Sequence, residues 1–130
     1  MEGNGVEWRV KAIRGATTAS ENTEEAIAIA VTELLQELKY RNRIDPDRIV
    51  SVIFTATQDL DAVFPAKIAR AVCPDWQDVA LMDVQQMHVE GSLPRCIRFL
   101  IHVNLPVDTK VFHPYLRGAS NLRPDRSLVS

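Results

Sequence analysis

The chain has little of what usually marks a reactive centre. Only two of its 130 residues are cysteine, Cys73 and Cys96, and they form no CxxC pattern. That argues against a disulfide scaffold and against a zinc motif. The histidines, His88, His102 and His113, are scattered, and no spacing predicts a metal site. There is no GxSxG elbow, no P-loop and no glycine-rich dinucleotide fingerprint. Neither cysteine has the flanking features of a nucleophile. A reaction needing a general base, a metal or a covalent intermediate therefore has no clear candidate. No apolar run approaches the roughly 20 residues that span a bilayer. The opening "MEGNGVEWR" lacks a basic-then-apolar signal pattern, so a cytoplasmic protein is expected. A net charge of −2 gives no electrostatic argument for nucleic acid or an anionic membrane.

What is present is an ordinary globular balance. Apolar residues make up 46% and charged residues 25%, enough for one domain, residues 1–130, with its own core. A polar, mobile tail is expected from about residue 119. "WRVKAIRG" alternates from Trp8 to Gly15 and predicts a first strand, with Trp8, Val10, Ala12 and Arg14 on one side. Asn22 with Glu25 predicts a capping box. Behind it Ile27, Ala30, Val31, Leu34, Leu35 and Leu38 form one apolar helical stripe. "DPDR" at Asp45–Arg48 reads as a turn. "IVSVIFTAT", Ile49–Thr57, reads as a strand covered on both faces.

Pro65 starts a short helix from about Ala66 to Val72. "DVALMDV" is a brief strand, "CIRFLIHVN" a long one, and "KVFHPYLRGA" a last strand broken or edged by Pro114. The order β-α-β-α-β-β-β predicts an α+β fold, a mixed β-sheet with helices on one face. Its other face lies open, and oligomerisation is a common way to cover it.

Arg98 sits among Ile, Phe, Leu and Val in the long strand. Cys96, Arg98, Leu100 and His102 share one face, while Ile97, Phe99, Ile101 and Val103 share the core face. A guanidinium there lies on a solvated face or is aimed at an anion. The same two readings apply to Arg14, beside Gly15. Lys67 and Arg70, three positions apart, point the same way on the short helix. Phe64 and Tyr115 are readable as packed rings. Several separate cations with one phenol suit the gripping of a small dianion.

These residues coincide with a family pattern. The chain resembles the bacillus-type, trimeric, monofunctional chorismate mutases through "AIRGATT" (Ala12–Thr18), "TEE" (Thr23–Glu25) and "ATQDLDAVFPAK" (Ala56–Lys67). "GSLPRCIR" (Gly91–Arg98) and "LRPD" (Leu122–Asp125) continue the match in order. The resemblance implies a homotrimer of mixed sheets with helices outside, a pseudo-α/β barrel with active sites at the subunit interfaces. It implies the pericyclic rearrangement of chorismate to prephenate, on the way to phenylalanine and tyrosine, with no cofactor and no metal.

By resemblance Arg98 contacts the ether oxygen of the substrate, where charge builds in the transition state. Arg14 and Tyr115 hold a carboxylate, and Phe64, Ala66, Lys67, Arg70, Met82 and Leu122 line the pocket or its mouth. The family normally has a glutamate at Gln86 and a cysteine at Asp83. The resemblance thus leads us to expect a relocated carboxylate, with Asp83 pairing the site cations and taking the hydroxyl contact. The plainer reading of Asp83 is an acceptor of local backbone bonds at a strand end. Two other functions compete: a trimeric small-anion-binding protein that has lost catalysis, which Gln86 would suit, and an imine deaminase of similar fold.

Overall fold

A long antiparallel ladder sets the frame. In this computed structural model, which describes residues 5–123, β1 (Trp8–Thr18) and β4 (Cys96–Pro106) pair along their whole lengths. Trp8 stands opposite Pro106 at one end and Thr18 opposite Cys96 at the other. Residues 1–4 and 124–130 lie outside the description, and with them the end of the "LRPD" stretch and the latter part of the expected tail. β2 (Ile49–Ala56) pairs antiparallel with the other edge of β4 and parallel with β3 (Ala80–Gln85). The sheet is four-stranded, in the order β1-β4-β2-β3.

The helices α1 (Glu24–Arg41) and α2 (Pro65–Val72) connect β1 to β2 and β2 to β3. They pack together over one sheet face, so the expected α+β arrangement is found. The predicted stripe of α1 is buried at every position. It meets Ile13, Val52, Phe54, Ile97, Phe99, Ile101 and Val103 from the sheet. Phe54 and Phe99 pack edge to face, with ring centroids 6.5 Å apart.

Three expectations about local structure are corrected. The cap of α1 is Thr23, whose hydroxyl accepts from the Ala26 N–H at 3.1 Å. Asn22 instead holds the loop after β2, its Oδ1 accepting from the Asp61 and Ala62 N–H groups. Both residues are good caps, and the loop contact claims one of them.

β2 is not covered on both faces. Val52 and Phe54 are buried, but Ser51, Ile53 and Thr55 are only half-buried on the opposite side. The open face also exposes Trp8, Val10, Met82 and Val84.

The third correction is the last strand. Residues 107–114 carry no ladder, and the segment makes one parallel bridge, Ala16 to Tyr115, before a 3-10 turn at Arg117–Asn121. Side chains satisfy this backbone in place of a neighbouring strand. Lys11 Nζ donates to the Val107 and Thr109 carbonyls, at 2.8 and 2.6 Å. The buried Asn42 amide donates to the Phe112 carbonyl and accepts its N–H, both at 2.9 Å. Residue 119, near which the tail is expected to begin, is still packed, for Ala119 is fully buried.

Gly15 lies inside β1, three residues before its end. A Cβ there would sit 2.4 Å from Phe99 Cζ and 2.9 Å from the Pro114 carbonyl oxygen. The ring is core, and the carbonyl is fixed by its bond to the Ala16 N–H. Gly15→Ala is expected to destabilise the protein by about 3 kcal/mol or more, the upper range for overpacking. Urea unfolding checks this, and an unchanged midpoint contradicts the close approach.

Candidate active site

Strand alternation places Arg98 on the open face of the sheet. Its row runs Tyr115, Ala16, Arg98, Thr55 and Val84 across four strands and the C-terminal bridge. The next row holds Arg14, Leu100, Ile53 and Met82. Arg98 is half-buried, and its Nε donates to Gln86 Oε1 at 3.2 Å. Gln86 is itself anchored just past β3, its N–H bonding the Ala56 carbonyl at 2.9 Å. Tyr115 is buried against Ala16 and Ala119, with Leu122 and Leu93 packed beside them. The Arg14 N–H donates to His113 Nδ1 at 2.9 Å, tying β1 to the segment that leads into Tyr115. The structure thus brings Arg98, Gln86, Arg14, Tyr115, Met82 and Leu122 to one side of the sheet.

The remaining candidates lie on the other side. Asp83 stands opposite Phe54, on the helix-covered face. Its Oδ1 accepts from the Ala66 N–H, 3.0 Å away, at the start of α2. A cleft of about 530 Å³ opens there, with Phe64, Pro65, Lys67, Asp83 and Gln85 among its walls, and it reaches round the edge strand β3 to Val84. Phe64 is 69% exposed at its rim. Arg70 is exposed on α2 and does not line this cleft, though its charge is felt by Asp83.

Within one chain Asp83 does not meet Arg98, and of the site cations it is expected to pair with it feels Arg70. The Asp83 and Arg98 side chains leave the sheet on opposite faces, and Arg98 bonds the neutral amide of Gln86, with the Cys96 thiol also near it. The bond that Asp83 accepts is also not local, since Ala66 is on another element. Gln85 was missed in the sequence. Strand alternation was the available signal, because of two adjacent glutamines only one can face Arg98 and the other must face the cleft.

The arrangement offers cations and hydrogen-bonding groups, not a nucleophile. Burial pushes both the Cys73 and Cys96 thiols up, away from the thiolate form. Among the described residues no group of three or more His, Cys, Asp or Glu side chains could hold a metal ion. No helix among them is long and apolar enough to cross a membrane.

Known proteins with this pattern are consistent in name. Residues 10–126 match the family model described as chorismate mutase type I. Chorismate mutase AroH of Bacillus subtilis is 40% identical over 92% of this chain and 94% of its own. The protein of the same name from Thermus thermophilus is 44% identical over 89% of this chain and 95% of its own. A solved chorismate mutase from Clostridium thermocellum superposes with a TM-score of 0.76 at 45% identity, covering 85% of this chain and 97% of that one.

Asp83 has one duty that a single chain displays. α2 has no side-chain cap of its own, and Asp83 supplies an acceptor and a negative charge at its N-terminus. Burial pushes the Asp83 carboxyl up, opposed by the Ala66 N–H and the Arg70 charge. Asp83→Ala should cost about 1 kcal/mol through the lost cap, whereas Asp83→Asn keeps the acceptor and should unfold close to wild type. Equal losses in both variants on thermal melting would show that charge, not capping, is what α2 needs.

Proposed function

The chain belongs to the type I chorismate mutase family and isomerises chorismate to prephenate, and we propose that it does so in a site built from two copies of the chain. The observation that carries this reading is the division of the candidate residues between opposite faces of one sheet. Arg98, Gln86, Arg14 and Tyr115 form one half, while Phe64, Lys67 and Asp83 form the other. Neither half encloses a ligand alone. The exposed apolar face, with Trp8 46%, Val10 54% and Met82 59% exposed, supports burial against another copy. We take the assembly to be the homotrimer that the resemblance implies. The matches to known proteins do not favour the anion-binding or imine deaminase alternatives.

The reaction is intramolecular. One C–O bond breaks as one C–C bond forms, and the electrons stay within the substrate, so no cofactor is invoked. Partial negative charge develops on the ether oxygen as the C–O bond lengthens. Arg98, held at one nitrogen by Gln86 and lying beside the Cys96 thiol, has further N–H groups to offer that oxygen. A neutral acceptor orients the guanidinium without cancelling its charge. Arg14 and Tyr115 from the same half, with Lys67 from the other and Arg70 outside the cleft on α2, suit the two substrate carboxylates and hold the chain folded for reaction. Met82 and Leu122 border the first half, and Phe64 and Ala66 the second. The carboxylate that a neutral Gln86 does not supply comes from Asp83 of the neighbouring copy, which takes the substrate hydroxyl. We place the enzyme in the cytoplasm, on the route to phenylalanine and tyrosine.

Loss of the chorismate diene absorbance on adding purified protein tests the activity directly. Arg98→Lys should lower kcat by at least about 100-fold, close to 3 kcal/mol, because lysine keeps the charge and loses the planar fork. A near-normal rate would return Arg98 to a solvated role.

Mixing tests the shared site. Arg98→Ala and Lys67→Ala proteins, each nearly inactive, are unfolded and refolded together in equal amounts. Each half-site is then intact half the time, so about a quarter of the sites should be whole and activity should return. No recovery, or sedimentation as an active monomer, contradicts the interfacial site.

A further inference from the structure

Among the described residues of the C-terminal segment, one non-glycine residue holds a left-handed backbone, Arg117, at φ 52°. L side chains rarely adopt that conformation, and they persist in it only when surrounding contacts enforce it. The contact here is on α1. Arg117 Nε donates to Glu33 Oε1 at 2.8 Å and Nη2 reaches Glu33 Oε2 at 3.4 Å, a two-pronged grip. Glu33 in turn pushes the Arg117 guanidinium up. The next residue is tied as well, for the Gly118 N–H donates to Thr18 Oγ1 at 3.1 Å.

The grip sits between two residues of the Arg98 half-site. Tyr115, two positions before Arg117, bridges Ala16 beside Arg98. Leu122, just after the 3-10 turn Arg117–Asn121, packs on the cluster of Ala16, Tyr115 and Ala119. The path of the chain from Tyr115 to Leu122 is therefore bent at Arg117, and the bend is fastened to the middle of α1 through Glu33. We propose that Glu33 and Arg117 are a positioning pair, which fixes the C-terminal turn so that Tyr115 and Leu122 meet the substrate. This rests on the reading that those two residues face chorismate.

An exposed ion pair transmits little energy, so the effect should be modest and should appear in binding. Glu33→Gln and Arg117→Gly are each expected to raise KM for chorismate about three- to fivefold, with kcat within about twofold of wild type. Glycine relaxes the left-handed position, so Arg117→Gly should melt no lower than wild type even as KM rises. A merely structural pair would move KM and melting temperature together. The double variant should be no worse than either single one, and the exchange Glu33→Arg with Arg117→Glu should recover part of the lost affinity.

Unchanged KM in both single variants, additive effects in the double, or a loss confined to kcat would overturn the proposal. Wild-type protein that leaves chorismate unchanged would overturn the underlying assignment, and the pair's role with it. An active wild type with KM unchanged in both single variants would overturn the pair alone.

Discussion

Alternation along β4 is the constraint on which the rest depends. Ile97, Phe99, Ile101 and Val103 are driven into the core by apolar burial, each worth on the order of 2 kcal/mol against exposure. Because a strand has period two, burying that set leaves no freedom for Arg98, which must emerge on the other face. A slip of one residue would bury the guanidinium beneath the helices and expose the phenylalanine. The cation is thus held in place by its neighbours' hydrophobicity, and the site inherits the rigidity of the core.

The same core explains two tight details around the site. The Phe99 ring occupies the space where a side chain at position 15 would be, so β1 carries a glycine next to Arg14. The segment after β4 is kept off the ladder by Lys11 and Asn42, which satisfy its backbone groups with side chains. Freed from strand geometry, it can bring Tyr115 to the edge of β1 and then turn at Arg117. Packing and hydrogen bonding together decide where the phenol sits.

On the proposed reading, a site divided across a sheet calls for a second copy for chemical reasons. The electrostatic stabilisation of a polarised transition state requires donors converging from several directions in a place water does not reach. One open sheet face offers Arg98 and Arg14 but no lid. One cleft offers Lys67 and Asp83 but no strand arginine. In the proposed assembly, joining the two would use the exposed apolar residues around the first face as interface and would enclose the substrate in the same act.

Much of this was legible in the residues. The α1 stripe, the mixed sheet, the core face of β4 and the outward placement of Arg98 all follow from periodicity, since burial depends on spacing that can be counted. The family resemblance rests on ordered motifs from Ala12 onward and is supported by the fold. What could not be read were matters of competition between groups distant in sequence: which of Asn22 and Thr23 would cap α1, and that Asn42 and Lys11 would replace a fifth strand. Nor could it be read that Asp83 would leave β3 on the face opposite Arg98. Spacing within a segment determines which face a side chain takes relative to its neighbours. Only the pairing of β3 with β2, and of β2 with β4, decides whether two such faces are the same one.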